Sequence, residues 1–387
     1  MTDIFTDVPG IGLPVAAISL ASVRRNWRIL NGMEGGAPPL AVVKADAYGH
    51  GIVPVTKSLL GEGCAVFAVG SVQEGVFLRK SLGDAGSGVT ILPLLGLVAA
   101  EDAALCVHHN LIPLVQSAEG AAWIKNAYTG KAPLPIAVKV ETGMSRLGFR
   151  QSTIQDIVET LRSAPNLAPA YLLSHLASAD EPAKETTVRE QAVRFMDIFA
   201  VFHEFWPGII PSLANSAGFM AGAKLLDNLP PHMGRPGYAL YGGNPFEGTA
   251  WEELGTALTP AMRVYAPVLG VHALAKGARV SYGGTFIAPK DMRIAVIGAG
   301  YSDCFPRALS GRGRVSINGA QCPVIGRVCM QMHMADVSAV PDVACGDKAY
   351  LLGDAVSMKD VAADWGTIPY EVLCLLGKNT RHYESGS

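Results

Sequence analysis

Five residues carry side chains that could act on a small polar molecule: Lys44, Lys139, His175, Asn215 and Arg235. Each follows a short apolar run, as in "LAVVKA" (40–45), "PIAVKVE" (135–141), "AYLLSH" (170–175) and "IIPSLAN" (209–215). Lysine is almost never buried without a partner or a task. In a low-dielectric site its amine loses proton affinity and becomes a nucleophile or base, which is what a Schiff base with an aldehyde cofactor requires. Such a cofactor, pyridoxal phosphate for instance, also needs an anion cup, a partner for its ring nitrogen and groups that move protons. "LANSAG" (213–218) and "GRPGYALYG" (234–242) offer Ser216 and glycine-rich backbone amides as anion donors. The sequence contains no P-loop, and the G-x-G of "GAGY" (298–301) has no helix after it, which argues against a dinucleotide fold.

The elements that must position these residues follow from the pattern. Strand candidates at 40–45, 65–71, 91–96, 112–117, 135–141, 170–175 and 209–215 alternate with helical stretches such as 153–164 and 187–205. An eighth strand is expected near "LPPHMG" (229–234). The alternation indicates a parallel sheet, and eight strands suggest an α/β fold of the (β/α)8 TIM-barrel kind. The five polar residues would then lie on the C-terminal rim, where barrel active sites form. After residue 250, short β-like segments joined by Gly-rich turns read as a separate all-β domain. The expected domains are therefore 1–245 and 246–387, with "GNPFEGTAWEELGT" (243–256) as linker.

Composition excludes several classes. Hydrophobic residues make up 49% and charged residues 17%, as in a well-buried globular chain rather than a disordered one. A net charge of −2 argues against nucleic-acid binding, and the lone basic run, "VRRNWR" (23–28), reads as the solvated face of an early helix. The seven cysteines form no C-x-x-C pair and fit reduced thiols in a cytoplasmic protein. The acidic opening lacks a signal-peptide pattern, no apolar stretch is long enough to span a bilayer, and no metal site is expected.

"AVVKADAYGHG" (41–51), "VKVETGMSRLG" (138–148), "LLSHLASADE" (172–181), "LANSAG", "RPGYALYG" (235–242), "RVSYGGTF" (279–286), "GYSDCFPR" (300–307), "GRVCMQM" (326–332) and "YEVLCLLG" (370–377) occur in order along nearly the whole chain. Together they resemble the alanine racemase family. The resemblance implies a fold-type III pyridoxal phosphate enzyme, with an N-terminal barrel, a C-terminal β domain and a head-to-tail homodimer with shared active sites. Lys44 would hold the cofactor and act as base on one face of the substrate α-carbon, with Tyr282 of the partner subunit on the other. Arg235 would partner the pyridine nitrogen, and Arg146 the cofactor's phenolic oxygen and the substrate carboxylate. Tyr48, Ser216, Gly237, Tyr238 and Tyr370 would hold the phosphate. His175 would set the state of Tyr282, and Asn215 would be an accessory polar group. The Met330 amide would meet the substrate carboxylate, and Tyr301 would line the entrance, with Asp180, Arg307 and Arg327 further out. Lys139 falls at the family's carbamylated lysine; a free amine paired with Glu141 or chloride is the alternative.

The chain departs from the family pattern at Gln331, in place of an acid, at Ser302 and Cys304, where small residues are usual, and early on, where E-I-D-L reads "AISL" (17–20). These departures bear on which amino acid is used. The expected activity is interconversion of L- and D-alanine, supplying peptidoglycan synthesis. Alternatives are a serine or broad-specificity racemase, a fold-type III decarboxylase, and a non-catalytic pyridoxal phosphate binder. A decarboxylase would favour an acid where Arg235 stands, and non-catalytic binders commonly lack a β domain.

Overall fold

The structure, a computed structural model, describes residues 14–33, 38–227 and 229–384. The opening stretch read as lacking a leader, residues 1–13, lies outside the described residues. The chain divides into two compact units. One contains 22–47 and 52–259; the other contains 14–21, 48–51 and 260–384.

In chain order the first strand, β1 (Val15–Ser19), belongs to the C-terminal unit. The larger unit holds β2 (Ala41–Val42), β3 (Val66–Val69), β4 (Thr90–Pro93), β5 (Leu114–Val115), β6 (Leu134–Lys139), β7 (Leu167–Leu173) and β8 (Ile210–Ser212). All sheet pairings among them are parallel, in the orders β2-β3-β4 and β5-β6-β7-β8. A helix follows each strand as the period changes from two to 3.6. Helix Ile154–Arg162 shows why: Ile154, Ile157, Val158 and Leu161 fall on one face and are buried. Serine caps start helices Val72–Leu82 and Ala118–Ala127, with Ser71 and Ser117 accepting from Glu74 N–H and Gly120 N–H. The basic run lies on helix Leu20–Asn31, where Val23, Trp27 and Leu30 are buried, whereas Arg25 and Arg28 are exposed.

Backbone hydrogen bonds extend beyond the named strands. Ile112 N–H donates to the Ile91 carbonyl (2.9 Å) and Leu97 N–H to Leu114 (3.1 Å), linking β4 to β5. The segment expected to be an eighth strand is not one. Pro230, Pro231 and Pro236 lack the N–H a ladder needs. Residues 233–236 still bridge two neighbours: Met233 and Arg235 donate to the carbonyls of Pro211 and Ala214, while Leu40 and Val42 donate to those of Gly234 and Pro236. Gly234 is needed at this junction, because a Cβ there would lie 2.1 Å from the Phe219 ring.

The C-terminal unit is built on β9 (Met262–Leu274), β10 (Arg279–Val280), β11 (Phe286–Ile287), β12 (Met292–Ile297), β13 (Arg314–Ile317), β14 (Ala320–Ile325), β15 (His333–Asp336), β16 (Lys348–Leu352) and β17 (Thr380–Glu384). Antiparallel pairing in the ring β9-β12-β15-β14-β13-β16-β9 closes a six-stranded barrel. Closure leaves the ring no free edge. The 13-residue β9 makes this possible by serving β1, β16 and β12 along successive stretches. β1 pairs antiparallel with β9 and parallel with β17. Between β10 and β11 a five-residue loop carries Tyr282. Two short helices, Met358–Trp365 and Pro369–Leu376, precede β17. All seven cysteines are free thiols, and among the described residues no helix is long and apolar enough to cross a membrane.

Candidate active site

Lys44 stands just past β2, where the backbone changes hand. Ala45, Asp46, Ala47 and Tyr48 all have φ between 52° and 55°, a left-handed turn made without glycine. Left-handed α geometry costs an L-residue about 1–2 kcal/mol, so other bonds must hold it. The Glu74 carboxylate accepts from Ala45 N–H (2.9 Å) and Gly70 N–H (2.6 Å), joining the chain after Lys44 to the end of β3. Asp46 accepts from Ile52 N–H at 2.7 Å. The S-x-x-E spacing of Ser71 and Glu74 signals a helix start. It does not say that the acid reaches past its own cap to the neighbouring strand.

One cavity of about 180 Å³ brings together Lys44, Lys139, Arg146, His175 and Arg235, with Ser174 and leucines around them. Among the described residues lining it, none is acidic. Four cationic side chains, two lysines and two arginines, converging on one space with no carboxylate among its described lining residues make a receptor for an anion. Burial, reinforced by Arg146, Arg235 and Lys44, pulls the Lys139 amine down to about 8, and its Nζ lies 3.4 Å from the Leu94 carbonyl. Glu141 is engaged elsewhere, accepting from Gly143 and Ser145 N–H at 2.6 and 2.8 Å. Among the described residues it forms no ion pair with Lys139.

Arg235 is 5% exposed and cross-links the ends of two strands. Nη1 donates to the Ser212 carbonyl (2.6 Å) and hydroxyl (2.7 Å); Nη2 donates to the Ser174 and Leu213 carbonyls and to His175 Nδ1 (3.2 Å). Nε–H has no partner among the described residues. Burial lowers the guanidinium to about 10, so at neutral pH it remains a cation that can only donate. That fixes its neighbour. His175 Nδ1 must be the acceptor, which places the ring proton on Nε2. Burial, then Arg235 and the other cations, pushes His175 down to about 3, so the ring is neutral at neutral pH. Ser212 and Ser174, which hold Arg235, were not legible as site residues; only their positions at strand ends signalled them.

Beside this cavity Ser216 Oγ accepts from Gly237 N–H (3.0 Å) and Ala239 N–H (3.3 Å). With its lone pairs engaged, the hydroxyl proton is left to donate outward. Asn215 caps the short helix Ser216–Ala221, its Oδ1 accepting from Gly218 N–H at 3.0 Å. Tyr238 begins a 3-10 turn, Tyr238–Tyr241, and is buried.

In the C-terminal unit, Tyr48 is buried with its ring centroid 6.2 Å from that of Tyr370. Burial, with Tyr370 and Cys374 nearby, raises the Tyr48 phenol well above its ordinary range. Tyr282 is 68% exposed and borders a separate cavity of about 590 Å³ with Arg279, Met330 and Gln331. The turn from Cys329 to Met332 is closed by Cys329 N–H on the Met332 carbonyl (2.8 Å), and Met330 lies at its exposed tip. Ser302 fastens this turn, donating to the Met330 carbonyl through N–H (2.9 Å) and hydroxyl (2.7 Å). Tyr301 is exposed, and its N–H donates to Cys329. Cys304 has φ 62°, a left-handed position that favours glycine. Asp180 and Arg307 are exposed and Arg327 is half-buried.

Residues 18–245 match the N-terminal domain family of alanine racemase, and residues 261–383 its C-terminal domain family. The alanine racemase of Nitratidesulfovibrio vulgaris (strain DSM 19637 / Miyazaki F) is 44% identical over 94% of this chain and 96% of its own. A catabolic alanine racemase of Rhizobium johnstonii is 36% identical over 93% of this chain and 92% of its own. The crystal structure of alanine racemase from Bartonella henselae with covalently bound pyridoxal phosphate superposes with a TM-score of 0.84 at 28% identity, covering 96% of this chain and 99% of that one. The biosynthetic enzyme of Pseudomonas aeruginosa gives 0.83 at 31%, with the same coverage. Matched in both units by the same family and along nearly its whole length by these relatives, the chain is an enzyme of the alanine racemase family.

Proposed function

We propose that the enzyme interconverts L- and D-alanine with pyridoxal phosphate, using Lys44 and Tyr282 as opposed acid–base groups, and so supplies D-alanine for peptidoglycan synthesis. The observation that carries this reading is the convergence of Lys44, Lys139, Arg146 and Arg235 on one cavity with no acid among its described lining residues. When bound, the cofactor supplies an electron sink that makes the substrate α-proton removable.

The residues present fit that group. Lys44 supplies the amine that holds it. Arg235 Nε–H is the donor available to a ring nitrogen, and a permanently charged guanidinium keeps that nitrogen unprotonated. Ser216, whose two acceptor sites are occupied by Gly237 and Ala239, has its proton free for a phosphate oxygen; Gly237 serves the phosphate by orienting that hydroxyl, with Tyr238, Tyr48 and Tyr370 as further phosphate ligands. Asn215 is an accessory group whose visible work is capping the adjacent helix.

Each base has its own task. Lys44 exchanges a proton with one face of the α-carbon, and the Tyr282 phenol, from the partner subunit, with the other. His175, neutral and protonated at Nε2, is the group that would donate toward Tyr282 and orient its phenol. Arg146 and the Met330 amide orient the substrate carboxylate, and Tyr301 lines its path. Lys139, with its amine lowered to about 8, is a good acceptor for carbon dioxide; as a carbamate it would brace Arg146.

The architecture we infer is a (β/α)8 barrel, in which residues 233–236, hydrogen-bonded on both sides, occupy the eighth strand's place. It would work as a cytoplasmic head-to-tail homodimer. The exposure of Tyr282 and Met330 supports a partner there. Circular dichroism of L-alanine incubated with holoenzyme tests the activity. The signal is expected to decay to zero with wild type and to persist with Lys44→Ala; a signal stable with both would reject alanine racemisation.

A further inference from the structure

The loop that presents Tyr282 contains three residues of positive φ in a row of four: Ser281 (63°), Gly283 (73°) and Gly284 (54°). Two are glycine, as expected. Ser281 is not, and with ψ −174° it sits in a region that glycine alone populates readily. A residue held there must be fixed by its surroundings. The Ser281 hydroxyl donates to the Arg327 carbonyl at 2.7 Å and lies 3.5 Å from the Cys329 thiol. The two segments are also in close contact: a Cβ at Gly326 would lie 3.0 Å from the Val280 carbonyl oxygen and 3.1 Å from Ser281 Cβ. Ser281 therefore ties the residue before Tyr282 to the strand end that leads, through Cys329, into the Met330 turn.

We propose that Ser281 is a positioning residue, its hydroxyl bond to Arg327 and its left-handed backbone locking the Tyr282 loop and the Met330 turn into one frame. This rests on the reading of Tyr282 as an acid–base group. Glycine would satisfy the backbone at 281 with less strain but could not make the bond. Serine makes it, and the phenol and the Met330 amide are then held in a fixed relation. Misplacement of a reacting group by about 1 Å can cost a hundredfold in rate, so a single bond of this kind has leverage on kcat.

The test compares holoenzymes carrying Ser281→Gly and Ser281→Ala with wild type and with Tyr282→Phe. Melting temperature, bound-cofactor absorbance, kcat, KM and the isotope effect with α-deuterated alanine are measured in each. For Ser281→Gly we expect kcat to fall about tenfold, with an unchanged absorbance spectrum and a melting temperature equal to or above wild type. The isotope effect should rise, because proton transfer becomes more rate-limiting. Ser281→Ala should lose kcat similarly and melt lower. Wild-type kcat in both variants, or a loss of activity that only tracks loss of folded enzyme, would overturn the proposal. If Tyr282→Phe still racemises, the reading of Tyr282 fails and the proposal with it. If Tyr282→Phe is inactive while the Ser281 variants are fully active, the Ser281 proposal alone fails.

Discussion

At the residue scale, histidines kept neutral by burial give the protein a pH dependence of known sign. His333 is fully buried, stacked on Phe305, and held down to about 4 by burial, with its Nδ1 on the Ala299 carbonyl. An unfolded histidine titrates near 6.5, so between about 4 and 6.5 the unfolded chain binds more protons than the folded one. Stability therefore falls as pH is lowered through that window, by about 1.4 kcal/mol per pH unit for each such histidine. Denaturation of the enzyme across pH 4.5–7 is expected to show this slope, and His333→Phe to make it shallower. An unchanged slope would contradict the assignment. At this scale much was legible. Lys44, Lys139, His175 and Arg235 were visible as polar residues ending apolar runs, and the structure gathers them in one cavity. Glu74 and Ser281 were not, because a carboxylate bonded to two backbone amides and a strained φ leave no mark in residue spacing.

At the element scale, local backbone geometry explains one departure from the family pattern. Cys304 follows the 3-10 turn Tyr301–Asp303 in the left-handed region, where a Cβ is penalised. Cys304→Gly is expected to stabilise the protein by about 0.5–1 kcal/mol, the relieved strain being partly offset by the greater freedom of glycine in the unfolded chain. Chemical denaturation measures this, and a lower midpoint at unchanged slope would show that packing of the half-buried thiol outweighs the strain. Seven strands of the larger unit were legible from apolar runs and intervening helical periods. The eighth was expected near 229–234, where prolines remove the ladder donors and leave only isolated backbone bonds over 233–236. β15 and β17 escaped notice because "HMAD" and "TRHYE" carry little apolar alternation.

At the scale of the whole molecule, the proposed mechanism requires two bases from different subunits at one substrate. Lys44→Ala and Tyr282→Phe subunits, each inactive alone, should form hybrid dimers with one intact site. Random mixing should then restore about a quarter of wild-type activity, because half the dimers are hybrids and each has one working site of two. No recovery with verified hybrids would place both bases in one subunit. Long-range assembly was the least legible level. β1 pairs with β17 at the far end of the chain, a contact that composition and periodicity do not encode. The measurement that reaches the central claim most directly is racemisation of L-alanine in deuterium oxide, stopped at low conversion and separated by enantiomer. Two opposed bases predict D-alanine carrying deuterium at the α-carbon and recovered L-alanine that retains protium. Substantial deuterium in the recovered L-alanine, or α-protium conserved in the D-alanine, would show that one group handles both faces and would contradict the account.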